Sequence, residues 1–194
     1  MEFPSPLTAS TSSTRKPINS RSARAAANVD MRVAGRAFRE AGVVVSAKYL
    51  AAGVHFASGN SRAFDSKAKK WGREYEAKAQ AALARDFGDA YRANPWIEFR
   101  DARGARRICQ PDGVLRINGR VFLIEIKVRH CVDAWQQLRL LYEPVLRKIH
   151  PRDSIACVEL TRRYDPAVVF PEPARVIERI SDACAGAFSV CEWR

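Results

Sequence analysis

Asn118-Gly119 is the residue pair that most narrows what this chain can fold into. It sits inside ICQPDGVLRINGRVFLIEIKV, residues 108–128, between two runs rich in β-branched and aromatic residues. A two-residue hairpin loop of the favoured type needs positive φ at both positions, which Asn-Gly tolerates best. With those two residues in the loop, Ile117 faces Arg120, Asp112 faces Glu125, and Gln110 faces Lys127. Facing residues of an antiparallel pair lie roughly 4.5–5.5 Å apart. Side chains alternate along a strand, so Lys127 shares the face of Glu125, and Phe122, Ile124, Ile126 and Val128 take the other. The apolar face is expected to enter a core, and the charged face to stay open.

Two facing carboxylates repel one another unless a positive group lies between them. A hard divalent cation answers that need, and Mg²⁺ suits a site with few carboxylates and several waters. Asp112, Glu125 and Lys127 together therefore have the makings of a metal site for phosphate chemistry. That reading requires the three side chains to converge where solvent reaches them.

The 194-residue chain carries 33 Lys and Arg against 21 Asp and Glu, a formal charge of +12. Such an excess favours a polyanionic partner, nucleic acid above all. Cys109, Cys131, Cys157, Cys184 and Cys191 are odd in number and form no CxxC pair, which reads as free thiols in a reducing compartment. The start has no secretory pattern, and the apolar run 42–54 is short and holds Lys48, so a soluble, cytoplasmic protein with no membrane contact is expected. The chain contains no HExxH, P-loop, G-x-G-x-x-G or G-x-S-x-G sequence. His55, His130 and His150 are too scattered for a zinc set, and His130 reads as a surface residue.

Three segments are expected. Residues 1–28, rich in Ser, Thr, Pro, Ala and Arg, read as a disordered basic tail. Residues 29–60 read as an N-terminal helical extension, with Met31, Ala34 and Phe38 at helical spacing and 46–52 continuing as a helix, before a loop at 58–61. Residues 61–194 form the main domain. Within it, Phe64, Ala68, Trp71, Tyr75, Ala79, Leu83 and Phe87 predict one helix with an apolar stripe, ended by Gly88. Glu76 borders the stripe, and Gly72 one turn earlier would admit a closely approaching backbone. Strands follow at 96–99, 154–161, 167–170 and 188–193, with helices at 133–149 and 174–184. Asp133 is the expected N-cap of the first of these, and Pro144 is expected to kink or break it. Arg100, Arg103, Arg106 and Arg107 cluster at a turn before the hairpin, where they could touch phosphates.

Pro111-Asp112-Gly113 and Glu125-Ile126-Lys127, preceded by a helix bearing Gly72 and Glu76, resemble the PD-(D/E)XK nuclease superfamily. The likeness covers about 71–161. It implies an α/β, restriction-endonuclease-like core, a mixed central sheet flanked by helices in the order αβββαβ, here with an N-terminal extension. It implies that Asp112, Glu125 and the Ile126 carbonyl hold Mg²⁺, or Mn²⁺ in its place, that Glu76 joins them, and that Lys127 orients the attacking water as base or as point charge. Gln136 or Gln137 with Tyr142 resembles the glutamine-bearing helix of the RecB-like branch, at a longer spacing; the Gly72 and Glu76 helix is also reminiscent of Holliday-junction resolvases. Of the two glutamines, Gln137 is taken as the catalytic candidate. The implied activity is DNA hydrolysis, with Arg103, Arg106, Arg107, Arg129 and Arg139 as backbone contacts. RNA is the alternative substrate, and a non-catalytic nucleic-acid-binding protein on the same fold is the alternative function. No feature fixes the number of subunits.

Overall fold

The computed structural model describes residues 41–51 and 67–194. The tail at 1–28, the helical spacing at Met31, Ala34 and Phe38, the loop at 58–61 and the Phe64 end of the long helix lie outside the described residues. Those described form an α/β fold in which helices flank a mixed sheet.

The Asn-Gly loop behaves as its chemistry requires. Asn118 and Gly119 have φ of 49° and 73°, and β5 (Gly113–Ile117) pairs antiparallel with β6 (Arg120–Lys127) with Ile117 opposite Arg120 and Gly113 opposite Ile124. Around this hairpin the sheet grows in both directions, in the order β2-β5-β6-β7-β9-β8. β2 is Tyr91–Ala93, β7 Ser154–Thr161, β8 Ala174–Ile177 and β9 Phe188–Glu192. β6, β7, β9 and β8 run parallel in that order, whereas β2, β5 and β6 form an antiparallel meander.

β6 is buried on both faces, which corrects the expectation of an open charged face. Phe122, Ile124 and Ile126 pack with Ala79 and Leu83 of helix α1 (Lys67–Phe87). Val121 and Leu123, on the face of Glu125, pack with Leu138, Leu141, Val145 and Leu146 of the second helical segment. A strand covered on both sides is what the near-continuous run VFLIEI and its parallel neighbour β7 call for.

That second helical segment runs as α2 (Val132–Gln136), a π-helical stretch (Gln137–Tyr142) and α3 (Glu143–Ile149). Its irregularity follows from Pro144, which has no N–H to give to the carbonyl four residues back. The Leu140 carbonyl accepts instead from the Ala41 N–H at 2.9 Å. Cys131, not Asp133, occupies the N-cap, with no side-chain capping bond.

Other expectations are corrected. Residues 44–49 form strand β1 (Val44–Tyr49) rather than a helix; the run VVVS is β-branched, and it pairs with β3 (Ile97–Asp101) in a three-stranded sheet β1-β3-β4, with β4 at Arg106–Cys109. Ala41 and Val44 are buried in the core, so this part of the 29–60 segment belongs to the main fold. Residues 174–184 give strand β8 and a short 3₁₀ turn (Ile180–Asp182) instead of a helix, because Val176 and Ile177 alternate outward and inward beside β9. Residues 167–170 form no strand. Trp71 leaves the apolar stripe of α1 and is 64% exposed, and among the described residues no other element lies within 4 Å of where a Cβ at Gly72 would sit. Gly88 ends α1 with φ of 52°, as expected. The five cysteines are free, and Cys109, Cys157 and Cys191 are buried. Among the described residues no helix is long and apolar enough to cross a membrane.

Candidate functional site

The site is built at the open end of the hairpin. Pro111 ends the preceding segment and Asp112 lies one residue before β5, so its carboxylate is free to leave the ladder. Asp112 Oδ2 accepts the Ile126 N–H at 2.7 Å, crossing from one strand to the other. The Asp112 carbonyl is held by the Asn94 N–H at 3.0 Å, Gln80 Nε2 at 3.2 Å and the Tyr91 hydroxyl at 3.4 Å. Tyr91 also explains the glycine of Pro-Asp-Gly: a Cβ at Gly113 would lie 2.7 Å from the tyrosine ring and its hydroxyl. The backbone under Asp112 is thus fixed from three sides.

Glu125 and Lys127 meet on β6, Nζ to Oε1 at 2.6 Å. The Glu125 side chain is 3% exposed and the Lys127 side chain 27%. Glu125 Oε2 is buried with no hydrogen-bond partner. Glu76 reaches the group from α1, where Gln80, one turn on, donates to it at 3.1 Å. Three acids and one amine therefore converge, but the convergence is less open than the sequence suggests, since Glu125 is sealed on its own face and solvent enters through Lys127.

The electrostatics follow from that enclosure. Burial pushes Glu125 up to about 8, with the Asp112 charge adding to the shift and Lys127 opposing it. Burial likewise raises Asp112, against the Ile126 N–H and Lys127. Glu76 is raised by burial and then by Asp112, while Lys127 and Gln80 draw it down. Burial works to lower the Lys127 ammonium, but Glu125 and Asp112 outweigh it and hold the group above its ordinary value. That direction favours the charged form of Lys127.

A divalent cation fits this donor set by chemistry. The donors are hard carboxylate oxygens, one of them buried and unpartnered, and their pKa values are raised first by burial and then, at Glu125 and Glu76, by the Asp112 charge, which a cation would offset. As they stand, no three His, Cys, Asp or Glu among the described residues are gathered as a ready ligand group. Lys127 occupies one oxygen of Glu125, and the Ile126 N–H one oxygen of Asp112. Ile126 meets Asp112 through its N–H, a donor where the resemblance looks to its carbonyl.

The remaining candidates separate clearly. Gln137 is partly buried, with its Oε1 unpartnered, and Tyr142 donates its hydroxyl to the Gln110 carbonyl at 3.1 Å. Tyr142 feels the charges of Glu125 and Asp112 after burial as the main cause of its raised pKa, which ties this helix to the acids. Arg129 is exposed and lines a cleft of about 1040 Å³ that also contains Lys127. Arg103, Arg106 and Arg107 do not line it; Arg106 pairs with Glu98 and Arg107 with Asp101, within the small sheet. Arg139, unlike Arg129, is spent within the fold: Glu143, Glu172 and the Gly186 carbonyl take its donors, and its side chain is 14% exposed. His130 is buried, not on the surface, with Nδ1 2.7 Å from Glu159 Oε2.

Sequence reasoning missed Gln80, Asn94 and Glu159. Gln80 was within reach, since a residue four beyond Glu76 shares its helix face. Glu159 left a trace as the lone acid in SIACVELT; it lies beside Glu125 in the parallel register and takes the Cys131 N–H at 3.1 Å, fixing the chain just after Lys127. Asn94 left none, because its position depends on the β2 turn. Comparison of the chain with protein-family models, with curated proteins and with solved structures gives no match.

Proposed function

We propose that this chain is a magnesium-dependent nuclease that hydrolyses phosphodiester bonds in DNA, built on a restriction-endonuclease-like core. The observation that carries the reading is the buried, unpartnered Oε2 of Glu125 beside Asp112 and Lys127, of which Lys127 reaches an arginine-lined cleft. The order of elements supports it: α1, the antiparallel meander β2-β5-β6, a helical crossover and the parallel strand β7 follow αβββαβ, with the β3–β4 hairpin inserted.

Asp112 and Glu125 would hold the ion, and Glu76 would complete its surroundings. Magnesium there would supply a Lewis acid for the phosphate and lower the pKa of water. The chain's own residues do the rest. Lys127, firmly charged, neutralises a non-bridging phosphate oxygen and orients the attacking water. The Ile126 N–H and the three donors on the Asp112 carbonyl keep that carboxylate aimed while charge builds up. Arg129 holds the phosphate backbone at the cleft wall.

The test is cleavage of linear, nicked, single-stranded and four-way-junction DNA by the full chain, with Mg²⁺ or with EDTA, beside Asp112→Ala and Lys127→Ala. Metal-dependent cleavage lost in both variants is the expected result. The burial of Glu125 and its ion pair with Lys127 favour a second reading, a non-catalytic nucleic-acid-binding protein. Equal binding by all three proteins with no cleavage would establish that one instead.

A further inference from the structure

The cleft that contains Lys127 carries more than charge. Arg129, Arg162, Arg163 and Arg194 line it, and Trp71 stands on its wall. A second hollow of about 440 Å³ shares Trp71, Val128, Arg162 and Arg194 with the first and adds Tyr75 and Trp193. Trp71 therefore sits where two adjoining hollows meet. Its indole is 64% exposed, although α1 offers a buried stripe one residue position away in which Ala79 and Leu83 are sealed. Trp193, by contrast, is tied down, its ring 5.5 Å from that of Tyr75 and its carbonyl holding the Tyr75 hydroxyl at 3.0 Å.

The arginines differ in the same way. Several guanidinium groups are spent on carboxylates: Arg106 on Glu98, Arg107 on Asp101, Arg116 on Asp153, Arg139 and Arg147 on Glu143, and in the cleft itself Arg194 on Glu192. Arg129, Arg162 and Arg163 are exposed, and none of the ion pairs among the described residues uses them. Unspent guanidinium groups around a bare indole have one common ligand chemistry, a phosphate chain with accessible ring faces. Every base has a π-face, but in a duplex those faces are stacked on neighbours, so an indole can use them only on a single strand or a frayed end.

We propose that this cleft binds single-stranded polynucleotide, with Trp71 stacking an unpaired base while Arg129, Arg162 and Arg163 hold the phosphates that lead to Lys127. The proposal names the substrate class of the site described above and so rests on that reading, in which Lys127 marks where the backbone is cut. Trp71 is a specificity-determining residue on this account, since it distinguishes a single strand from a duplex without touching the scissile bond.

The test is fluorescence anisotropy of the full chain with labelled oligothymidylate, oligouridylate and a DNA duplex, all in EDTA so that cleavage plays no part. Stacking contributes about 1–3 kcal/mol per base, so Trp71→Ala should weaken single-strand binding roughly 5- to 150-fold. Duplex binding should stay within about twofold, and Trp71→Phe should recover most of the loss. Arg162→Ala with Arg163→Ala should lower the slope of log affinity against log salt by about 0.7 per phosphate contact removed. Whichever homopolymer binds more tightly names the sugar. Single-strand binding unchanged by Trp71→Ala, or duplex binding weakened as much, would overturn the proposal. Binding that follows this pattern without metal-dependent cleavage would leave it standing and remove the nuclease reading alone.

Discussion

Lys127 Nζ lies 2.6 Å from Glu125 Oε1, two positions back on the same strand, while the other oxygen of that carboxylate is buried without a partner. The pair is a half-satisfied ionic unit. Removing one member of such a unit typically costs about 3–5 kcal/mol, because the survivor stays buried and uncompensated. Lys127→Met and Glu125→Gln are therefore expected to be strongly non-additive, with a coupling of about 1–3 kcal/mol in urea unfolding of the singles and the double. Additive losses would mean that the two groups do not depend on each other.

The same unpartnered oxygen makes a prediction about metal. Mg²⁺ is expected to raise the thermal midpoint of the wild-type chain and leave Asp112→Asn unmoved. At a hundredfold excess over the dissociation constant the gain is about 2.7 kcal/mol. An equal rise in both proteins would place the ion elsewhere.

Glu159 gives a pH dependence whose sign is fixed. Burial pushes its carboxyl up to about 8, against the pull of the Cys131 N–H and Lys127. The folded chain thus holds a proton that the unfolded chain releases at an ordinary glutamate pKa of about 4.3. Its contribution to stability is complete below that value, falls as pH rises, and is gone once pH passes about 8. His130, lowered by burial, acts in the other direction and costs stability as pH drops through its ordinary range. Glu159→Gln is expected to flatten the decline between about pH 5 and about pH 8 in urea midpoints. Parallel curves for the two proteins would exclude Glu159 as the source.

Gly113→Ala is expected to destabilise the chain by about 1–3 kcal/mol, the usual cost of overpacking a filled site. The added carbon would meet the Tyr91 ring at 2.7 Å, and relief by ring rotation would take the hydroxyl off the Asp112 carbonyl. A midpoint equal to wild type would show that Tyr91 yields freely.

Arg139→Ala is expected to cost about 1.5–3 kcal/mol, because Glu143 and Glu172 each lose a charged partner, Glu143 keeping Arg147 and Glu172 the Trp135 indole N–H. Binding of labelled oligonucleotide, normalised to folded protein, should stay unchanged. Weakened binding at equal folding would return Arg139 to the phosphate contacts.

How far the sequence carried depends on how local each signal was. Asn118-Gly119 set the hairpin and its register, and through them brought Asp112, Glu125 and Lys127 together, because turn chemistry acts over a few residues. Ser154–Thr161 and the end of α1 at Gly88 were legible for the same reason. Burial was not local. Whether Glu125 faced solvent depended on Leu138 and Val145, residues whose packing no hairpin pattern reveals. Arg139 and Arg129 look alike in the chain, and only the folded positions of Glu143 and Glu172 separate the spent guanidinium from the free one. Residues 174–177 went wrong because Pro-Glu-Pro suggests a helix start, while pairing with β9 decided the outcome.

The Leu140 carbonyl, which Pro144 cannot serve, is met by the Ala41 amide at 2.9 Å, and five residues of β1 then pair with β3. The helix that shelters Glu125 is thus laced to a strand more than ninety positions earlier in the chain. Removing the chain through Ala41 would leave the Leu140 carbonyl without the donor that Pro144 cannot supply, so the cover over Glu125 leans on a segment upstream of the helix and hairpin that carry the acids.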